Sequence, residues 1–179
     1  MQLTSKTISL RLAEAYDAEF IYSLRTNEVY NKYLSIVDDD ISKQEEWLID
    51  YKEREKKGIE YYYIIYRNSD LAPIGTVRIY DFIGERESFC WGSWILNENK
   101  TKYAALESAL LVYDFAFFKL GFKRCHMDIR KKNIKVIEFH KRFGVQIVGE
   151  SDIDLYGYYY PEKYTEIRNQ IVKVINSIA

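Results

Sequence analysis

Two hydrophobic periods alternate along the chain. Residues 7–13, TISLRLA, set Ile8, Leu10 and Leu12 against Ser9 and Arg11, the pattern of a strand with one buried face. AEAYDAEFIYSLRTNE then places Ala18, Ile21, Tyr22 and Leu24 at helical spacing, with Asp17 near the start. VYNKYL reads as a second, short helical piece. After Asp38, Asp39 and Asp40 comes ISKQEEWLIDYKEREKKG, where Ser42 and Glu45 predict a capping box. Trp47, Leu48 and Tyr51 make its apolar face, and Gly58 stops it. EYYYIIY (60–66), PIGTVRIYDF (73–82) and SFCWGSWIL (88–96) read as strands, with Asn68-Ser69-Asp70 and Gly84 supplying the turns.

A long helix is predicted over about 102–119, ended by Gly121. FKRCHMDIR (122–130) is a strand of imperfect phase. NIKVIEFHKRF is a short helix with Ile134, Ile137 and Phe143 on one stripe, closed by Gly144. VQIVGE and the Tyr-rich 156–160 segment read as strands, and a terminal helix begins with Pro161 in its first turn. The middle of the chain is antiparallel hairpins, but the strand–helix–strand at 88–130 needs a crossover. The fold class expected is therefore α+β with a mixed sheet.

Composition narrows the class. The 179 residues suffice for one domain over 1–179 with a full core. With 47% hydrophobic and 30% charged residues, 8 Gly and 2 Pro, the chain leaves no room for a disordered linker. A formal charge of −1 gives no bulk attraction for nucleic acid. Cys90 and Cys125 lack metal-ligand spacing and read as buried thiols of a reducing compartment. No apolar stretch is long enough for a membrane span, so a soluble, cytoplasmic protein without membrane or nucleic-acid partners is expected. The 17 Tyr, clustered at 61–63 and 156–160, suit half-buried strands and polar pockets alike.

The chemistry centres on NENKTKYAALE (97–107), a polar turn between an apolar strand and a long helix. On WGSWIL before it, F-x-x-L-G (Phe117–Gly121) after it and N-I-K-V-I-E-F-H-K-R-F-G (Asn133–Gly144) beyond, the chain resembles the GNAT superfamily of acyl-CoA N-acetyltransferases. It is most similar to the branch that acetylates protein N-termini and small amines, nucleotide-linked amino sugars included. The resemblance implies a GNAT-like, mostly antiparallel central sheet with a splayed parallel pair, flanked by helices. It implies acetyl-CoA as co-substrate, with no metal.

In that family a glycine-containing turn wraps the CoA diphosphate with free amides at a helix start. Aligned on Phe117, the turn here is Lys100, Thr101, Lys102, Tyr103, Ala104 and Ala105, with Tyr103 at the glycine's place. A helical turn needs no positive φ, so Tyr103 is compatible with amide access, and the lysines add charge. Ile95 and Leu96 resemble the strand that pairs with the pantetheine arm, and Gly92 and Ser93 are small enough for the bulge that splays it. Asn133 resembles the residue that bonds the arm, with Arg142 nearby on the same helix.

Acetyl transfer needs a neutral amine, a polarised thioester and a proton for the thiolate. His140 stands where the family often has a sulfur-protonating Tyr, and a near-neutral pKa would suit that role. Cys90 replaces the family's strand carboxylate, leaving Glu87, with Glu85 and Asp81, as candidate bases. For the acceptor, the first helices, the central turn and the late hairpin supply Arg25, Asn31, Tyr33, Asp38 to Asp40, Arg86 and Tyr158. Aromatics with arginine suit a nucleotide-linked amino sugar of surface-polysaccharide synthesis. A protein N-terminal acetyltransferase and a non-catalytic acyl-CoA-binding domain are the alternatives. The small-molecule amine reading fits a monomer or homodimer.

Overall fold

The structure is a computed structural model and describes residues 1–38 and 40–177. Eight strands form one sheet in the order β1-β2-β3-β4-β5-β6-β8-β7. They are β1 Gln2–Thr4, β2 Ile8–Leu12, β3 Tyr61–Arg67, β4 Pro73–Ile83, β5 Ser88–Leu96, β6 Cys125–Arg130, β7 Gln146–Glu150 and β8 Asp154–Tyr159. All neighbours are antiparallel except β5 and β6. The helices are α1 Ala18–Thr26, α2 Glu28–Asn31, α3 Ile41–Lys56, α4 Ala104–Tyr113, α5 Ile134–Phe143 and α6 Pro161–Asn176.

Helices cover both faces, and β3 explains how. Tyr62 and Ile64 pack with Ile21, Leu48 and Tyr51 beneath α1 and α3. Tyr63 and Ile65 point the other way, into a larger core with Ala109, Val112, Tyr113, Ile137 and Ile171 from α4, α5 and α6. Strand alternation thus buries both faces of YYYIIY at once. Both cysteines are buried and free, as expected. Among the described residues no helix is long and apolar enough to cross a membrane.

Four boundaries depart from the expected ones. Gln2–Thr4 adds an edge strand too short to carry a period of its own. Asp40, rather than Ser42, caps α3: its carboxylate accepts the Ser42 amide at 2.9 Å. The predicted 102–119 helix is α4 followed by a wider-wound turn over Asp114–Lys119, where bulky rings crowd the DFAFFK run. β6 starts at Cys125 because Phe122 turns into the core and its amide bonds Ala116 O at 3.1 Å.

Candidate active site

β5 and β6 are in register at one pair, Phe89 with Cys125, where the Phe89 amide donates to Arg124 O at 3.2 Å. Beyond it β5 stays with β4 and β6 stays with β8, so the two strands part. A bulge holds β5 away. Between the pairs Thr76–Ile95 and Arg78–Gly92, both Ser93 and Trp94 face the single residue Val77. Ser93 takes φ +46°, and the Thr76 hydroxyl fixes it by donating to Ser93 O at 2.8 Å. Of the two small residues expected to carry the bulge, Ser93 does so, with Trp94, while Gly92 stays paired with Arg78. Past Phe89 the β6-facing edge of β5 has no partner strand, which leaves alternate amides and carbonyls turned to the gap.

The gap is a cavity of about 300 Å³. Trp91, Trp94, Met127, Ile129 and Val136 give it apolar walls, Arg25, Ser35, Ser93, Asp128 and Arg130 add polar ones, and Asn133 and His140 of α5 close one side. The Asn133 side chain is partly exposed and makes no hydrogen bond among the described residues, so its amide is free for a ligand. His140 is only 7% exposed, edge-on to Trp91 at 5.5 Å, and its Nδ1 is buried without a partner. Burial pushes its pKa down to about 4, which corrects the near-neutral value expected. At neutral pH roughly one ring in a thousand is protonated. Cys90, on the sheet face that borders the gap, is also disarmed: burial pushes its thiol up to about 12.

The polar turn follows the end of β5, three residues past Trp94 of the cavity wall. Asn97 builds it, its side chain accepting the Asn99 amide at 3.0 Å and its carbonyl the Lys100 amide at 3.2 Å. Tyr103 occupies the N-cap with φ −112°, so glycine's freedom is not required there. No side chain caps α4, and the Ala105 and Leu106 amides have no acceptor among the described residues. Lys100 and Lys102 are exposed, with Lys102 Nζ 5.1 Å from the centre of the Tyr103 ring. The Thr101 hydroxyl is already engaged, 2.7 Å from that of Thr7. Ala104 faces the core, and Ala105 is half-buried.

A second cavity of about 430 Å³ lies on the α1–α3 side of the sheet. It meets the first along Arg25, Ser35, Tyr80 and Ser93, which line both. Arg25 spans the junction: it donates to Ser35 O at 3.0 Å, to Ser35 Oγ at 2.8 Å and to Ser93 Oγ at 3.4 Å. Trp47, Tyr22, Arg78 and Lys43 complete the walls. Arg78 is aimed by the buried Glu60, which also holds Arg54, and lies 5.0 Å from the Trp47 ring centre. Asp38 and Asp40 reach this cavity, Tyr33 lines the wedge, and Asp39 lies outside the described residues.

Other predicted site residues sit elsewhere. Glu87 and Arg86 precede β5 at the closed end of the wedge, where Glu87 pairs with Lys123 and Arg86 lies over Phe82 and Phe122. Six residue steps along the strand separate Glu87 from Ser93, roughly 20 Å. Asp81 is bonded to His126 at 3.0 Å, and His126 in turn to Ser88 at 2.6 Å. Arg142 is exposed on α5 and lines neither cavity. Tyr158 stacks with Arg124 at 4.6 Å in a separate hollow of about 490 Å³ over β6 and β8. That hollow touches the wedge through Met127 and Asp128.

Reasoning from sequence missed Tyr80, Trp47 and Arg78 as cavity walls, and Asp128. The signal for Asp128 was the alternation in CHMDIR, which turns His126, Asp128 and Arg130 away from the core face of Cys125, Met127 and Ile129.

The site is thus a bulged strand splayed from a parallel neighbour, beside an uncapped helix start. The family model described as an acetyltransferase (GNAT) domain matches residues 7–146, and the chain belongs to that family of N-acetyltransferases. It is 30% identical over 151 residues to the probable N-acetyltransferase YjcK of Bacillus subtilis (strain 168), covering 78% of this chain and 83% of that one. The solved structure of apo FdhC, a nucleotide-linked sugar GNAT, is 50% identical and superposes with a TM-score of 0.90 over 98% of both chains. A Vibrio cholerae spermidine N-acetyltransferase in complex with CoA and spermine shares the fold, with TM-score 0.77 at 19% identity over 88% of this chain and 98% of that one.

Proposed function

We propose that this protein transfers the acetyl group of acetyl-CoA to the amine of a nucleotide-linked amino sugar in the cytoplasm. The observation that carries the reading is the junction of the two cavities at Ser93. A thioester arm entering the wedge and an acceptor entering from the α1–α3 side would meet there. The likeness to FdhC over nearly the whole chain supports the acceptor class. So do the walls of the α1–α3 cavity, where aromatic Tyr22 and Trp47 stand beside the guanidinium groups of Arg25 and Arg78, a setting suited to a ring with a diphosphate.

The parts divide as follows. Amides of the free β5 edge hydrogen-bond the pantetheine arm and polarise the thioester carbonyl. The open amides of Ala105 and Leu106, with Lys100 and Lys102, hold the diphosphate, and Asn133 bonds the arm. His140 is a neutral hydrogen-bonding wall and not an imidazolium acid at neutral pH.

The test is acetyl transfer from acetyl-CoA to UDP- and dTDP-linked amino-hexoses, with short peptides and spermidine in parallel. Acetylated nucleotide sugar is expected at a kcat/KM at least about a hundredfold above the other amines. Preferential acetylation of peptides or spermidine would overturn the acceptor class. In the same assay, Lys100→Ala with Lys102→Ala should raise the acetyl-CoA KM about five- to tenfold and leave kcat within about twofold. An unchanged KM would remove both lysines from the diphosphate site.

A further inference from the structure

The wedge cavity has one acidic side chain on its wall among the described residues, and it is Asp128. Strand alternation on β6 turns it to the same sheet face as Tyr80 and Cys90, across the mouth where β5 and β6 have parted. It is exposed and makes no hydrogen bond or ion pair. Its sequence neighbours on that face are spoken for: Arg130 pairs with Asp154 at 2.7 Å, and His126 has Asp81 on one ring nitrogen and Ser88 on the other. A free carboxylate at the lip of this cleft has no structural task in the fold.

The rest of the wall offers no competing proton acceptor. Burial holds the Cys90 thiol protonated, and it raises the Tyr80 phenol as well, with the Asp128 charge adding to both shifts. His140 is only 7% exposed and walled in by Trp91 and Phe139, whereas Asp128 is open at the lip. Arg25 and Arg130 are cations. Glu87, the carboxylate expected from sequence, is at the closed end of the wedge.

From this geometry we propose that Asp128 is the catalytic base, receiving the proton that the acceptor's ammonium group sheds before attack. The proposal rests on the N-acetyltransferase reading of the wedge. The ammonium N–H bond breaks and its proton passes to an Asp128 oxygen, directly or through one water, and then to solvent. The nitrogen lone pair forms the new bond to the thioester carbonyl carbon. The C–S bond breaks, and the second proton of the nitrogen goes to the departing thiolate. One amide, one thiol and one solvent proton result, so the atoms balance. The carboxylate also attracts the ammonium to the lip, which places it against the carbonyl.

The test compares wild type with Asp128→Asn and Asp128→Glu, using acetyl-CoA and whichever UDP- or dTDP-linked amino-hexose the wild type acetylates. Asp128→Asn should lower kcat/KM about a hundredfold or more at pH 7. Acetyl-CoA affinity, read by tryptophan fluorescence of Trp91 and Trp94, should stay within about twofold of wild type. The deficit should shrink as pH rises from 7 to 9.5, because solution then supplies the free amine, and Asp128→Glu should recover part of the rate. The titratable and charged groups facing Asp128 are Tyr80 on β4, Cys90 on β5, His126 and Arg130 on β6, Tyr156 opposite it on β8, His140 on α5 and Arg25 on α1. The wild-type to Asn ratio cancels their own titrations. A deficit under about threefold, or one constant across pH, would overturn the proposal. If the wild type acetylates peptides and not sugars, the acceptor reading falls, and the same comparison with the peptide amine still decides the role of Asp128.

Discussion

Gly75→Ala is expected to destabilise the protein by about 3 kcal/mol or more and to lower Tm by about 6–12 °C. A Cβ on Gly75 would lie 2.0 Å from the Ile95 carbonyl oxygen and 3.1 Å from the Ile95 carbonyl carbon. Both are backbone atoms of the bulged end of β5, so relief requires β4 and β5 to separate where Gly75 pairs with Leu96. That movement displaces the strand edge assigned to the pantetheine arm, so acetyl-CoA affinity should fall with stability. Gly92→Ala makes the contrast. Its Cβ would meet the Tyr80 hydroxyl at 2.9 Å, the movable end of a side chain, and a smaller loss is expected there. Thermal melts with acetyl-CoA titrations check both. A Gly75→Ala protein that melts within about 2 °C of wild type would mean that β4 and β5 do not approach so closely.

Acid should weaken the wild type through His140 by an amount that His140→Phe abolishes. Burial lowers the folded-state pKa from 6.5 to about 4. Between those values the unfolded chain binds the extra proton and the folded chain does not, so stability rises with pH across the window. The contribution is intact above pH 6.5, is lost progressively as pH falls, and amounts to on the order of 3 kcal/mol by pH 4. Phe keeps the ring contacts with Trp91 and Phe139 and removes the unpartnered Nδ1. Denaturant unfolding from pH 7 to 4.5 should therefore give a flatter curve for His140→Phe. Parallel curves would mean that the imidazole is open to water.

The order of elements and the central strands were legible because their hydrophobic periods are decided by burial. β5 runs over the predicted 88–96, and Gly144 closes α5 with φ +86°. The bulge was legible in part: small Ser93 marks it, but bulky Trp94 shares it and Gly92 stays in register with Arg78. What the period could not report is which end of a parallel pair opens. Arg86 and Glu87 lie at the closed end, and Asp128, five residues beyond the turn-in at Lys123, lies at the open one. His140 was expected to be near neutral from its residue type and its place in the family pattern, without regard to burial. Helical spacing puts it with Ile137 and Phe143 on the buried stripe, while Ile134, expected on that stripe, is 58% exposed. The Tyr-rich strand β8 was read as acceptor wall by composition, yet Tyr159 is buried core and Tyr158 faces a separate hollow. The free amides of α4 were inferred from chemistry that needs backbone access alone, so the missing glycine did not conceal them.

A crystal structure with coenzyme A and a dTDP-linked amino-hexose most directly examines the account. The pantetheine should run between β5 and β6 with its sulfur near Ser93, and the diphosphate should accept from the Ala105 and Leu106 amides. The sugar nitrogen should lie between that sulfur and Asp128. Coenzyme A bound away from the gap, or a sugar amine in the Tyr158 hollow with the wedge empty, would contradict it.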